Sequence, residues 1–234
     1  MCGAAASSFL PFGSPQRPDA LCWKCHSLER HRFLWYFLAH RPQQEDGRFL
    51  HLAPERCLGN RLRRRYSGRY VSADLLRADV DIKLDITASH LPDSGFDTIC
   101  CSHVLKHVED DRAALKEIYR MLKPGGVAMI MVPVTEATTL EDPNVSSPEE
   151  RTRRYGQADH VRAYGEHFVD RLREVPGARV SVVSPDDLLD RQSMQQMGIN
   201  ELAGDIFLLM KPRVRQRQAR DAPSRLPARR YRWR

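Results

Sequence analysis

Residues 96–133 constrain the fold of this chain more than any other stretch. They read FDTICCSHVLKHVEDDRAALKEIYRMLKPGGVAMIMVP. Phe96 to Cys101 is a short apolar run, the pattern of a strand buried on both faces. Asp110 or Asp111 is placed to cap a helix by accepting backbone N–H groups. Ala114, Leu115, Ile118, Tyr119 and Leu122 recur at helical spacing, with Arg112, Lys116, Glu117 and Arg120 on the other face. Lys123-Pro124-Gly125-Gly126 stops that helix, because proline cannot continue it and glycine takes a positive φ. Val127 to Val132 is a second apolar run, closed by Pro133. Two buried strands joined by such a helix form a parallel βαβ unit.

The same stretch resembles the small "type 11" group of class I S-adenosylmethionine-dependent methyltransferases. The likeness rests on a buried strand, then His103-Val104-Leu105-Lys106-His107-Val108, then a helix ending Leu122-Lys123-Pro124-Gly125-Gly126. The usual form there has glutamate where this chain has Lys106. The resemblance extends over about Cys22 to Pro212. It implies an α/β, Rossmann-like, doubly wound sheet of seven strands with helices on both faces and the last strand antiparallel. It also implies S-adenosylmethionine as cofactor.

Composition bounds the alternatives. The chain has 234 residues and a 41% hydrophobic fraction, enough for one α/β core with short appendages. No apolar run is long enough for a membrane span, and no basic region precedes an apolar stretch at the N-terminus, so neither a membrane anchor nor a secretory signal is expected. The net charge of +7 is uneven: from Lys211 onward ten cations face one carboxylate, net +9, so the remaining chain carries −2. Six cysteines without framework spacing predict reduced thiols and a cytoplasmic protein.

Three regions follow from these shifts. Residues 1–20 are rich in Ala, Ser, Pro and Gly and are expected to lack fixed structure. Residues 21–212 form the methyltransferase-like α/β domain. Within it, 21–47 hold a CxxC segment and a helix, and 134–165 form an insertion on the acceptor side. Residues 213–234 are an Arg-rich tail, expected to be disordered. Its arginines could contact phosphates, and Tyr231 and Trp233 could stack on bases, or it is simply a solvated tail.

Cys22 and Cys25 can offer two thiolates to a zinc ion, but a structural site needs four ligands. His26 and His31 are nearby, and Cys2 is distant in sequence. Relatives with a similar C-x-x-C-x-S-L-E-R-H-R segment resemble zinc ribbons with two such pairs. One pair is missing here, so a bound zinc is not expected. Ser27 is a good N-cap for the next helix, which carries Phe33, Leu34, Phe37 and Leu38 and which Pro42 and Gly47 end. In the resembled fold that helix lies over the cofactor; plain core packing accounts for its aromatics equally well.

The cofactor residues are assigned by position and resemblance. Ligands of a doubly wound sheet bind outside the carboxyl ends of the strands. The first strand ends in His51-Leu52-Ala53-Pro54-Glu55, where the family's usual motif is acidic-x-Gly-x-Gly. Ala53 is small enough for close backbone approach, and Pro54 suits a first helical turn. The lack of a G-x-G-x-x-G loop argues against a dinucleotide fold, and S-adenosylmethionine has no phosphate that requires one. Asp74, ending the second strand, is placed to accept ribose hydroxyls, or to cap the next turn. By resemblance, Asp85 and Ile86 lie at the adenine ring, and Ser102 and His103 lie beside the methyl donor. His51, Ala53, Pro54 and Glu55 complete the set.

His103 or His107 could serve as a general base, since imidazole titrates near neutral pH; a structural role is the alternative for each. In the insertion, His160, Arg162 and Tyr164 alternate and would share a face if extended. They suit acceptor recognition through a guanidinium, a hydroxyl and an aromatic face. The competing reading buries Tyr164 and pairs Arg162 with Asp159 or Glu166. The leading function is methyl transfer to a small-molecule acceptor. The alternative is a non-catalytic module of the same fold that acts on RNA or a protein partner through the basic tail.

Overall fold

The computed structural model describes residues 1–3, 8–13, 16–41 and 46–213. The chain begins with a hairpin of β1 (Leu10–Phe12) and β2 (Arg17–Leu21), followed by α1 (Glu29–His40), β3 (Phe49–Leu52) and α2 (Arg56–Arg65). Then come β4 (Tyr70–Asp74), β5 (Ile82–Lys83), β6 (Phe96–Ser102), α3 (Asp111–Met121) and β7 (Leu122–Met131). The insertion supplies β8 (Val134–Glu136), β9 (Leu140–Glu141), α4 (Pro148–Tyr155) and β10 (Arg162–Gly165). The chain continues through α5 (Phe168–Arg173), β11 (Arg179–Val183), α6 (Arg191–Met197) and β12 (Ile206–Met210).

Seven strands pair in the order β11-β12-β7-β6-β3-β4-β5. β12 runs antiparallel to both neighbours, and the pairs from β7 to β5 are parallel. The order reverses after β3, which places a ligand crevice beyond the carboxyl ends of β3, β4 and β6. Strand alternation divides the core into two layers. Leu50, Leu52, Ala128 and Ile130 face α3 and α5; Phe49, Val127, Met129 and Met131 face α1 and α2. The aromatics Phe33 and Phe37 therefore belong to the core beneath the sheet.

Three local expectations change. Residues 10–21 form a hairpin, where composition alone predicts no fixed structure. Leu28, not Ser27, stands at the N-cap of α1, because the buried Ser27 carbonyl accepts the Arg32 guanidinium at 2.6 Å. β7 is longer than the apolar run: Leu122 already pairs with Phe96, and Lys123–Gly126 bulge before Thr98 meets Val127. Gly125 sits in that bulge at φ +86°. Residues 42–45 and 214–234, with Pro42, Tyr231 and Trp233 among them, lie outside the described residues.

The insertion forms its own three-stranded sheet, ordered β8-β10-β9. Gly165 permits it: a Cβ there would stand 2.4 Å from the Thr138 backbone. A buried charge cluster fixes this sheet to the domain. Asp110 caps α3 through Ala113 N–H, which leaves Asp111 free to turn inward. Its Oδ2 accepts from Tyr164 Oη and from Arg171 Nη1, both at 2.6 Å. Arg171 and Arg162 then share Glu141, at 2.7 and 3.0 Å, and Arg162 also donates to the carbonyls of Leu105 and Glu109.

Removing one partner of such a cluster leaves an uncompensated buried charge, which costs about 3–5 kcal/mol. Asp111→Ala should lower the unfolding free energy by that amount, read in urea as a lower midpoint with an unchanged slope. A loss under about 1 kcal/mol would show that the cluster does not anchor the sheet.

Candidate functional site

A cavity of about 1120 Å³ opens at the carboxyl ends of the central strands. This lies at the upper end of the range for small-molecule sites, about 300–1,000 Å³. Its floor is Leu52 and Ala53 from β3, Ala73 and Asp74 from β4, and Ser102 and His103 from β6. Asp85, Ile86 and Thr87 close one side. Lys106, His107, residues 155–160 and Ala163 close the other. Phe12, Gly13 and Arg17 of the N-terminal hairpin and Arg30 of α1 reach over the mouth.

Two floor residues are held in the left-handed region, Ala53 at φ +45° and His103 at φ +57°. Such a conformation costs a non-glycine residue about 1–2 kcal/mol. The sheet imposes it: Ala53 N–H donates to Ala73 O and His103 N–H to Met131 O, both at 2.8 Å. Ala53 thus keeps the turn that a glycine makes easily.

His51 and Pro54 do not line the cavity, although both were expected at the cofactor. Period-two alternation explains His51: it points with Phe49 to the α1 and α2 side and is fully buried. There it orients Glu55, with Nε2 at 3.1 Å from Oε2 and Nδ1 at 3.0 Å from Tyr70 Oη. His31 approaches the other oxygen of Glu55 at 3.4 Å, and its Nδ1 accepts Leu28 N–H, which puts its proton on the Glu55 side. Burial pushes the Glu55 carboxyl up, but the two imidazole N–H groups outweigh it and hold it well below the usual carboxylate range. The cavity wall therefore carries a fixed negative charge beside Ala53. Pro54 is buried and presents its carbonyl to Arg77.

On the opposite rim, Asp74 Oδ1 accepts Leu76 and Arg77 N–H at 2.7 and 2.8 Å. Asp74 is thus a turn cap and a cavity residue at once, with Oδ2 unengaged by these bonds. Asp85 Oδ1 accepts from Thr87 N–H and Oγ1, and Ile86 beside it is buried. Ser102 Oγ is buried and has no hydrogen-bond partner among the described residues.

Burial, with the charges of Arg30 and Lys106, depresses the His103 pKa well below 6.5. His107, on a 3-10 turn over Leu105–His107, has its Nδ1 3.1 Å from Asp159 Oδ2, and burial lowers its pKa as well. Lys106 is pushed down to about 8 by burial and by the Arg30 charge. His160, 6% exposed, donates Nδ1–H to Tyr155 O at 2.8 Å and leaves Nε2 buried without a partner. His107, Asp159 and His160 stand close enough to ligate one metal ion.

Tyr164 and Arg162 share a face of β10, as their alternation predicts, and both border the cavity. Their polar groups are nonetheless consumed by the protein. Tyr164 is fully buried on Asp111, and Arg162, 5% exposed, pairs with Glu141 rather than with Asp159 or Glu166. Of the three insertion residues, His160 alone keeps a spare polar atom.

Cys2 comes closer than its sequence position implies. Its Sγ lies 3.7 Å from Cys22 Sγ, and Cys25 completes a group of three thiols. This supplies three of the four ligands of a structural zinc site. His31 is turned to Glu55 instead. Sequence reasoning did not single out Arg17, Arg30 or Phe12 as cavity residues. The heptapeptide Ser27–Phe33 shows a basic run, but nothing local says which of its arginines faces the crevice.

Residues 60–130 match a family model described as "Methyltransferase domain". Uncharacterized methyltransferases of Mycobacterium bovis and Mycobacterium tuberculosis are 37% identical over 51 residues, 22% of this chain. That match spans 26% of the relatives' own length. Three solved structures share the fold. A chain from the complex of the Haloferax volcanii Trm112 methyltransferase activator with a candidate methyltransferase superposes with a TM-score of 0.54 at 17% identity, over 78% of this chain and 91% of that one. The [4+2]-cyclase SpnF gives 0.51 at 18% identity, over 78% and 81%. The YcgJ protein of Bacillus subtilis gives 0.50 at 14% identity, over 79% and 99%. The fold is the α/β Rossmann-like fold of methyltransferases, and the domain match supports a class I methyltransferase.

Two outcomes follow from the floor geometry. Ala53→Gly should stabilise the protein by about 1 kcal/mol, because glycine accepts φ +45° without penalty; a lower thermal midpoint would contradict the strained turn. Glu55 has a depressed pKa, so its stabilisation is full above its ordinary value of 4.5 and is lost as pH falls through the depressed value. Glu55→Gln should therefore be less stable than wild type at pH 7 and lose less stability on acidification from pH 4.5 to about 3. Parallel stability curves would contradict this.

Proposed function

We propose that the chain is an S-adenosylmethionine-dependent methyltransferase acting on a small-molecule acceptor. The observation that carries this reading is the cavity at the strand carboxyl ends, with a left-handed turn at Ala53 and carboxylates at Asp74 and Asp85 on its rim. Asp74 Oδ2 is placed to accept a ribose hydroxyl, Asp85 the adenine amine, and Ile86 to cover the ring face. Ser102 Oγ is an unsatisfied polar atom at the strand end, the kind of group a bound molecule satisfies. Glu55, held anionic, faces the place where a methionine ammonium would lie.

When bound, the cofactor supplies an electrophilic methyl group on a sulfonium. The protein's part is alignment and exclusion of water. His103 and His107 are the side chains placed to receive an acceptor proton. Their depressed pKa values keep both uncharged at neutral pH, so both are free to accept. The six cysteines are all free, in keeping with a cytoplasmic enzyme. No helix among the described residues is long and apolar enough to cross a membrane.

A second reading, a non-catalytic module of the same fold, is favoured by one observation. A charged Glu55 stands in the first loop where the family has glycine. A [4+2]-cyclase also uses this fold, so the fold alone does not select the reaction. The basic tail on which RNA or protein binding would rest lies outside the described residues.

Thermal melts with S-adenosylhomocysteine separate the two readings from an empty fold. Ligand at about 100 times its dissociation constant stabilises by about 2.7 kcal/mol, which is about 5–10 °C for a domain of this size. Asp74→Ala should weaken that ligand about tenfold, the loss of one charge-assisted hydrogen bond. An unchanged dissociation constant would remove Asp74 from the site. Turnover of S-adenosylmethionine with an acceptor then decides between enzyme and module.

A further inference from the structure

The cavity is electrically divided. Its rim at Asp74 and Asp85 carries carboxylates engaged by backbone amides and by Thr87. On the insertion side the carboxylates have basic partners: Asp159 has His107 at 3.1 Å, and Glu109 has Arg151 at 3.1 Å. Two cavity cations, Lys106 on that side and Arg30 of α1 at the mouth, have no such partner among the described residues. Arg30 and Lys106 both line the cavity, both are half-buried, and neither has an ion pair or side-chain hydrogen bond among the described residues. Arg30 Nε is buried with no hydrogen-bond partner among the described residues.

This arrangement costs the unliganded protein stability. Half-buried charges lose hydration, and the more distant carboxylates, Glu55 and Glu29 for Arg30 and Asp159 for Lys106, offset that only in part. Burial first, and then the mutual repulsion of the two cations, lowers the pKa of Lys106. Glu55 attracts Arg30 from beyond contact distance, and its nearest partners are His51 at 3.1 Å and His31 at 3.4 Å. An anion between the two cations removes both penalties.

We propose that Arg30 and Lys106 form a binding subsite for a carboxylate or phosphate group of the methyl acceptor. The inference rests on the methyltransferase reading for the word acceptor, but the anion subsite stands on the cavity alone. The position of Lys106 assigns the anion to the acceptor. Its carbonyl accepts Val161 N–H at 2.9 Å, so it is tied to the insertion that forms the far wall. The nucleoside end, with Asp74 and Asp85, is the other side. Lys106 also stands where the resembled group has glutamate, which makes it a specificity-determining position: glutamate there repels an acidic acceptor and lysine attracts one. A lysine or arginine contact to a carboxylate or phosphate is among the stronger hydrogen bonds a site can make.

The test is isothermal titration of the full chain, saturated with S-adenosylhomocysteine, with inorganic phosphate and with succinate at constant ionic strength. Wild type should bind at least one of the two saturably. Lys106→Met and Arg30→Met should each weaken that binding about tenfold, and Arg30→Lys should recover part of it. Binding of S-adenosylhomocysteine should change less than twofold in Lys106→Met (about 0.4 kcal/mol). Lys106→Gln repeats the measurement should the methionine variant fold poorly. Three results would overturn the proposal: no saturable binding of either anion, equal anion affinity in wild type and variants, or a loss in Lys106→Met confined to S-adenosylhomocysteine and absent for 5′-methylthioadenosine. The last would assign the cations to the cofactor's own carboxylate. If S-adenosylhomocysteine does not bind wild type at all, the methyltransferase reading fails, and the anion titration on the free protein still reports on the subsite.

Discussion

The Asp111 carboxylate holds the insertion against the parallel sheet, and the cavity exists because of that contact. Asp111 is the first residue of α3, so its backbone is fixed by a helix packed on β6 and β7. Its side chain is fixed by Tyr164 of β10 and Arg171 of α5. Glu141 of β9 then closes the cluster through Arg171 and Arg162, and these arginines hold its carboxyl down to about 2. The buried Asp111 carboxylate, the partly exposed Glu141 and two buried guanidiniums come from four elements, α3, β9, β10 and α5. In low-dielectric surroundings such a cluster is stable only when every member is satisfied. That demand gives the insertion one position, and the position makes it the far wall of the cavity.

The same logic operates on a smaller scale at the floor. The β3 turn lacks glycine, yet Ala53 adopts the conformation a glycine would, because Ala73 and the sheet register dictate it. Glu55 introduces a charge next to that turn and would be costly alone. His51 of β3 offsets the cost by donating to one oxygen, and His31 of α1 approaches the other at 3.4 Å. The departure from a glycine-rich loop is therefore accompanied by local compensation. An ordinary surface loop would have no reason to combine a strained alanine, a buried glutamate and two imidazoles.

Much of the fold is legible in the sequence, for a plain reason. The central strands are buried on both faces, so Ile206–Met210 reads as a continuous apolar run and Phe96–Ser102 as a largely apolar one, and α3 between β6 and β7 carries a clear 3.6-residue period. The hairpin at residues 10–21 is not legible, since its strands are short and largely exposed and its register comes from pairing rather than pattern. Site residues divide in the same way. Ala53, Asp74, Asp85 and Ser102 all line the cavity, the first two expected there from the strand ends and the other two from the resemblance. Arg162 and Tyr164 are correctly placed on one face, but their partners, Asp111 and Glu141, are 51 and 21 residues from them or more, and no local signal names such partners. Arg30 and Lys106 look like ordinary surface cations until the fold turns them into one cavity without counterions.

On the proposed reading, this cavity, with its altered first turn, receives an S-adenosyl ligand. A crystal structure with S-adenosylhomocysteine should show the ribose on Asp74, the adenine between Asp85 and Ile86, and the amino-acid end over Ala53 beside Glu55. Density for the ligand elsewhere, or an unchanged empty cavity in crystals grown at saturating ligand, would contradict it.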